Sequence, residues 1–155
     1  MNYGYVTNGL AVEMATKICD CIGHGKYETA VHMIIETAVT ETGLGRLEDK
    51  TDAAGMGITQ FDKIPFADVR DRCIKLKPQI EKDLGVDITK VDWDDLRYNI
   101  FLSLLFARLL YWLKGEPIPK TIEERASYWK LHYNTKLGKG TVEHYLEMNR
   151  KYKAV

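Results

Sequence analysis

Glu41 and the glycine-bearing segment that follows it have the residue types and spacing for acid chemistry. Glu41 ends an apolar run, and the segment Gly55-Met56-Gly57-Ile58-Thr59-Gln60-Phe61 comes after a polar loop. Burial raises the pKa of a carboxyl group, and the negative end of a helix raises it further. We therefore predict that Glu41 stays protonated near neutral pH and donates its proton to a leaving oxygen.

Glu36 is a second acid in the same apolar run, one helical turn and a half before Glu41. In an α-helix the two side chains are about 140° apart around the axis. They are therefore not expected to face one cleft. We assign Glu36 to a structural bond or to solvent.

Apolar residues recur at helical spacing through most of the chain and predict a mainly α fold. The segment 46–64 is polar and glycine-bearing, which indicates a short β-hairpin or an open loop. The predicted helices run from Leu10 to Ile22, Tyr27 to Thr42, Pro65 to Leu84, Leu96 to Leu113, Thr121 to Tyr133, and Thr141 to the C-terminus.

Three of these helices carry recognisable start signals. Pro65 is expected to open its helix, because the first turn of a helix tolerates a missing N–H. Asp92 or Asp94 is expected to cap the helix that begins at Leu96. Thr121 with Glu124 has the pattern of a capping box.

The length and charge of the chain limit the class of protein. The 155 residues suit a single domain, 1–155. Lys plus Arg and Asp plus Glu both number 22, so no overall field attracts nucleic acid or an anionic membrane. The apolar run from Ile100 to Leu113 is too short to span a bilayer and contains Arg108, which argues against stable membrane insertion.

The cysteines and the N-terminus bear on cofactors and location. Cys19, Cys21 and Cys73 form an odd set, which we expect to be reduced. Their spacing lacks the paired knuckles of zinc sites, so we expect no metal and no cofactor. Residues 1–8 lack the basic start and apolar core of a signal peptide, which predicts synthesis in the cytoplasm.

Four short motifs follow one another along the chain. Their residues are Glu41-Thr42-Gly43, then Gly55 to Phe61, then Asn99-Ile100 with Tyr111-Trp112-Leu113, and last His132-Tyr133-Asn134 with Gly138-Lys139-Gly140. In this order they resemble the motifs of the soluble lytic transglycosylase and goose-type lysozyme superfamily, which begin with Glu-Ser and Gly-Leu-Met-Gln. Thr42 stands in place of the family's serine, and Ile58 and Thr59 replace its Leu-Met pair.

The resemblance implies a lysozyme-like single domain with the irregular segment or hairpin beside an active-site cleft. Such a domain cleaves the MurNAc-(β1,4)-GlcNAc linkage of peptidoglycan glycan strands. Glu41 would perform both proton transfers of a lytic transglycosylase, which leaves a 1,6-anhydroMurNAc end. The resemblance implies no cofactor.

The resemblance also implies roles on the substrate side of the cleft. Gly55 and Gly57 would let the backbone approach the sugar, because a side chain there would fill the groove. Gln60 would bind an acetamido group, while Tyr133 would position the Glu41 carboxyl or the sugar ring. The other expected substrate-binding residues are Thr42, Phe61 and Asn134, the last bonding substrate or backbone.

Two alternatives to this mechanism and role stay open. Asp52 or Asp62, on either side of the glycine segment, would hold a water for hydrolysis with inversion, as in goose-type lysozymes. The other alternative is a non-catalytic phage structural or glycan-binding protein on the same scaffold. For the enzyme, a phage endolysin or a virion component is the implied setting, with a holin, a virion or a secretion machine giving access to the wall.

Overall fold

Helices account for most of the structure, a computed structural model that describes residues 6–47, 55–135 and 138–155. The prediction of a mainly α fold is confirmed. Within the described ranges the α-helices are α1 (Asn8–Ile22), α2 (Ala30–Thr42), α3 (Lys63–Arg72), α4 (Lys77–Leu84), α5 (Ile100–Trp112), α6 (Ile122–Trp129) and α7 (Val142–Lys151).

The candidate acid belongs to α2, which lies among the other helices. Ten of its 13 residues are buried, so the helix is covered on nearly every side. It packs against α1, α5 and α7. The helix ends at Gly43, which adopts a left-handed conformation at φ 59° and donates its N–H to the Val39 carbonyl.

A short antiparallel hairpin follows α2 in the described chain. Its strands are β1 (Gly55–Met56) and β2 (Phe61–Asp62), paired in the register Gly55 to Asp62 and Met56 to Phe61. The sequence left a hairpin and an open loop as alternatives for this segment, and the hairpin is the one observed. The turn between the strands includes Gly57 and Gln60 at positive φ, 76° and 49°.

The helix expected from Leu96 begins later, so that prediction was wrong at its start. Asp92 accepts the capping bond of a 3-10 helix, Trp93–Leu96, in a reciprocal box with Asp95. α5 itself is capped by Asn99, whose Oδ1 accepts the Leu102 N–H at 3.0 Å. Both Asp92 and Asn99 suit a cap, and the extended backbone at Asn99 separates the two helices.

The helix expected from Pro65 to Leu84 is two helices. α3 begins at Lys63, two residues before Pro65, and the first turn accepts a proline because its N–H groups lack intrahelical acceptors. A 3-10 helix, Ile74–Leu76, then separates α3 from α4. The apolar spacing continues through this break, which explains why the sequence indicated one helix.

The end of α6 changes its winding. Thr121 caps the helix as expected, since its Oγ1 accepts the Glu124 N–H at 3.2 Å. After Trp129 the chain continues as a π-helical turn, Lys130–Asn134, closed by a 2.8 Å bond from Thr135 N to Lys130 O. We call this segment the π-turn. Such turns re-aim side chains and occur often at functional sites.

α5 forms much of the apolar core. Nine of its 13 residues are buried, and it packs against α1, α2 and α3. Arg108, which interrupts the apolar run, donates from Nε to the Gly23 carbonyl at 3.1 Å. In the described ranges, no helix combines the length and apolarity needed to cross a bilayer.

Candidate active site

Glu41 lies in the last turn of α2 with its side chain partly exposed. Its Oε1 accepts a hydrogen bond from the indole Nε1 of Trp129 at 3.3 Å. The last residue of α6, just before the π-turn, therefore stands directly beside the carboxylate. This places the predicted acid at the junction of α2 with the end of α6.

Two tyrosine hydroxyls lie within the field of the Glu41 carboxylate. Burial raises the pKa of Tyr133 well above its ordinary value, and the nearby charge of Glu41 raises it further. The pKa of Tyr111 is likewise raised well above its ordinary value, first by burial, with Glu41 as a smaller contributor. Both phenols are therefore uncharged near neutral pH, where they can donate and accept hydrogen bonds.

Tyr133 links the π-turn to the hairpin. Its hydroxyl donates to the Thr59 carbonyl at 2.7 Å. Its ring meets Phe61 edge-on at 5.9 Å and lies 5.7 Å from the ring of Tyr111. That Tyr133 positions the acid stays a prediction; its hydroxyl bonds the hairpin turn, and the charge of Glu41 contributes to its raised pKa.

Asp62, one of the two candidate second carboxylates, also acts on Tyr133. Its charge adds to the rise in the Tyr133 pKa, after that of Glu41. Partial burial raises the pKa of Asp62 itself, although the residue as a whole is exposed at the end of β2. Asp52, the other candidate, lies outside the described residues.

Thr42 is wholly buried, so the expectation that it binds substrate is wrong. Its hydroxyl donates to the Ile58 carbonyl at 2.7 Å and accepts the Gly45 N–H at 2.9 Å. These bonds fasten the end of α2 to the hairpin turn. Thr42 therefore joins the end of α2 to the hairpin turn without reaching the surface.

The two glycines of the hairpin are required by contacts inside the protein. A Cβ on Gly57 would lie 2.2 Å from the Leu96 carbonyl oxygen and 2.5 Å from Ser103 Oγ. A Cβ on Gly55 would lie 2.7 Å from Gln60 Oε1. The expected role of leaving room for a sugar is corrected accordingly: Gly57 is buried against α5 and its preceding turn.

Gln60 has a side-chain oxygen without a hydrogen-bond partner in the described structure, whereas the Phe61 ring is packed in the apolar core. The Gln60 Nε2 donates to the Gly57 carbonyl at 2.9 Å, and its Oε1 is buried with no hydrogen-bond partner in the described structure. Such an acceptor gains from any donor that reaches it. The Phe61 ring is 1% exposed among Phe66 and Phe106, so the prediction that Phe61 contacts substrate is wrong.

Asn134 shapes the loop beyond the π-turn. Its Oδ1 accepts a 2.7 Å bond from Lys130 Nζ, which also donates to the Gly138 carbonyl at 2.9 Å. A Cβ on Gly140 would lie 2.4 Å from Cη2 of Trp129, so the loop backbone presses on the indole. Through Lys130, Asn134 is thus linked to Gly138, and Gly140 nearby packs on the indole of Trp129.

Trp129 is the residue bonded to Glu41 that the sequence reasoning missed. No role was assigned to it from the sequence, since an aromatic residue within a predicted helix most often packs in the core. The indole is indeed buried, and its ring lies 5.4 Å from that of Tyr145. A signal was present in the spacing, because Trp129 precedes Tyr133 by four residues and such pairs share a helix face.

Glu36 makes the structural bonds expected of it. It forms a two-point ion pair with Arg125, 2.8 Å from Nε to Oε1 and 2.8 Å from Nη2 to Oε2. Tyr145 donates to the same carboxylate at 2.7 Å. The pair is buried on the side of α2 away from Glu41, so only Glu41 of these two acids belongs to the site.

The assembled site is one partly exposed carboxyl held by an indole N–H and flanked by buried phenols. This arrangement suits transfer of a proton to a bound molecule and back. The described residues contain no group of three or more His, Cys, Asp or Glu placed to hold a metal ion. Comparison with protein-family models, curated proteins and solved structures finds no match to this chain.

Proposed function

We propose that this protein cleaves peptidoglycan glycan strands between MurNAc and GlcNAc, as a lytic transglycosylase. The observation that carries the proposal is the placement of Glu41, partly exposed at the end of a buried helix and bonded to Trp129 beside the Tyr133-bearing π-turn. The resemblance of the four sequence motifs to that family supports the same function. The fold itself does not decide it.

Glu41 acts twice in this reaction. Its protonated carboxyl gives a proton to the glycosidic oxygen, and the bond to the departing GlcNAc breaks through an oxocarbenium-like state. The Glu41 carboxylate then takes the proton of the MurNAc 6-hydroxyl, whose oxygen bonds to the anomeric carbon. This step forms the 1,6-anhydro ring and restores the protonated acid, with no water consumed.

Trp129 serves the stage at which Glu41 is ionised. Hydrogen bonds to a charged acceptor are stronger than those to a neutral one, so the indole N–H stabilises the carboxylate between the two proton transfers. Gln60 supplies the recognition element on the hairpin. Its Oε1 is buried without a partner in the described structure, so the side chain turns outward to accept the N–H of a substrate acetamido group.

The direct test is the release of fragments from purified sacculi, analysed by mass spectrometry, by the wild-type chain and by Glu41→Gln. We expect 1,6-anhydro products from the wild type and a fall of about 10²- to 10⁴-fold in the variant, the usual contribution of a general acid. Glu147→Gln, which removes an exposed carboxyl from α7, is the matched control. Equal release by Glu41→Gln and wild type would refute the assignment.

Inverting hydrolysis is the second candidate, because the charges of Asp62 and Glu41 both contribute to the raised pKa of Tyr133. A base with a raised pKa is suited to activating water near neutral pH. In that case the products carry reducing ends and Asp62→Asn abolishes release. Under the transglycosylase mechanism Asp62→Asn retains release of anhydro products, and Asp52→Asn distinguishes the other possible base.

Binding to sacculi without cleavage by the wild type would favour the non-catalytic role. In that case the chain is a glycan-binding phage component. A phage origin also sets the route to the wall, through a holin or on a virion, and co-expression with a holin tests the first route by the lysis it permits.

A further inference from the structure

A cavity of about 290 Å³ opens on the far side of α2 from Glu41. The carboxylate of Glu36 belongs to its floor, and α6, α7 and the segment after α7 provide its walls. Glu36 and Glu41 are about 140° apart around the helix, which separates this cavity from the candidate active site. Its volume is close to the lower end of the range for small-molecule sites.

The walls of this cavity are apolar on one side. Ile122 comes from the first turn of α6, Leu146 from α7 and Ala154 from the segment after it. Each is only partly buried, so part of its surface remains open to the cavity. A bound apolar body would cover this surface, which favours binding through the hydrophobic effect.

The charged groups at the cavity differ in whether a neighbouring group of opposite charge already pairs with them. Arg125 and Tyr145 already bond the Glu36 carboxylate, so the floor offers no free negative charge. At the mouth are two exposed cations, Arg150 and Lys153, and the exposed carboxylate of Glu123, and Val155 also lines the cavity. Neither cation forms an ion pair with any described residue, and an anion placed between them gains attraction from both.

We propose that this cavity binds an organic anion with an apolar body. The anionic group, a carboxylate, sulfonate or phosphate, lies between Arg150 and Lys153. The body packs against Ile122, Leu146 and Ala154. The apolar wall binds the body of such a molecule and the cationic mouth binds its anionic group. A simple inorganic anion contacts only the cations, and a neutral hydrocarbon contacts only the apolar wall.

The test uses two probes that share an aromatic body and differ in charge. Anilinonaphthalene sulfonate carries a sulfonate, and phenylnaphthylamine has nearly the same body without it. Both fluoresce when they enter an apolar site. Because unfolded or loosely packed chains also bind such dyes, near-ultraviolet circular dichroism is recorded on every sample to establish native packing.

We expect saturable binding of one sulfonate probe per chain, with the neutral probe bound about fivefold more weakly. Arg150→Gln with Lys153→Gln weakens the sulfonate probe by a similar factor and leaves the neutral probe unchanged. The exposed Lys82 of α4, remote from α6 and α7, provides the matched control Lys82→Gln. Glu41→Gln leaves both probes unaffected.

A second variant addresses the apolar wall. Ala154→Trp fills the cavity from a segment outside the helices and abolishes binding of both probes, whereas Ala154→Ser retains it. Equal affinity for the two probes overturns the proposal. So does binding that survives Ala154→Trp, or binding of the sulfonate probe that is unchanged in the double charge variant.

Discussion

The indole nitrogen of Trp129 donates a hydrogen bond to the carboxylate of Glu41 at 3.3 Å. This bond joins the end of α2 to the end of α6 across 88 residues of sequence. The far edge of the same indole presses on the backbone of Gly140, and its ring packs beside Tyr145. The donor is therefore clamped, and the position of the Glu41 carboxyl follows from the packing of the indole.

Trp129→Phe removes this donor while keeping an aromatic ring. A hydrogen bond to a charged group contributes about 1.5–3 kcal/mol, so we expect release of glycan fragments to slow about tenfold to hundredfold. The rate is measured on purified sacculi, with Trp112→Phe at the partly exposed end of α5 as the control. A wild-type rate in Trp129→Phe would show that the bond plays no part in catalysis.

A comparison of Gly57→Ala with Gly85→Ala separates the cost in stability of backbone strain from the cost of a steric clash. Both glycines have positive φ, 76° and 69°, so each alanine variant bears the strain of about 1–2 kcal/mol expected of a left-handed residue. Only at Gly57 does the new Cβ meet other atoms, 2.2 Å from the Leu96 oxygen, whereas nothing lies within 4 Å at Gly85. We expect Gly57→Ala to lower the free energy of unfolding by at least about 2 kcal/mol more, measured by urea denaturation.

Equal losses of unfolding free energy in these two variants would mean that the hairpin can move away from α5 at no cost in stability. The same pair of variants also reports on the site, because the hairpin carries Thr59 and Gln60. Gly57→Ala should slow glycan release, while Gly85→Ala should leave the rate unchanged.

Glu36→Gln leaves Arg125 buried without a countercharge. Removing one partner of a buried ion pair destabilises a protein by about 3–5 kcal/mol. We expect a loss of this size in urea denaturation. Asp68→Asn breaks the solvent-exposed pair with Arg72 and should change stability by less than about 1 kcal/mol. Similar small effects in both variants would indicate that water reaches the Glu36–Arg125 pair.

Alkaline pH should destabilise the protein through its buried tyrosines. Burial raises the pKa values of Tyr111, Tyr133 and Tyr145 well above the ordinary value in the folded state. Their stabilising contribution is complete below the unfolded pKa, about 10, and is lost as the pH rises through the folded values. Each contributes a slope of about 1.4 kcal/mol per pH unit between the two.

Tyr133→Phe tests this slope at one position. Urea denaturation from pH 9 to 12 should show a shallower decline of stability than in the wild type, by about 1.4 kcal/mol per pH unit. Tyr98→Phe, at a largely exposed position, is the control. An unchanged slope in Tyr133→Phe would mean that its phenol ionises equally in the folded and unfolded chain.

Local signals in the sequence predicted most helices because caps and apolar spacing are encoded within a few residues. The start of α5 was missed, since Asp92 and Asn99 are both suitable caps and only tertiary packing shows that each begins a separate helix. The break before α4 was missed for a similar reason. A 3-10 turn at Ile74–Leu76 leaves the spacing of apolar residues almost unchanged.

The contacts of side chains in the candidate site were harder to predict than the helices that carry them. A glycine needed for internal packing and one needed to admit a ligand look alike in sequence, and Gly57 is of the first kind. Thr42 and Phe61 lie near Glu41 along the motif, yet both face the interior. The direction of a side chain depends on contacts between distant segments, and Trp129 was overlooked for the same reason.

The bonds to α2 also determine when the surroundings of Glu41 are assembled during synthesis. Arg125, Trp129, Tyr145 and Asn149 each bond a residue of α2 that is 88 to 113 positions earlier. On the ribosome α2 emerges long before these partners, so the nascent chain holds Glu41 without its indole donor. The ribosome must synthesise α6 and α7 before their side chains can bond α2 and position the Glu41 carboxyl. If the proposed function holds, the enzyme stays inert until α6 has packed against α2.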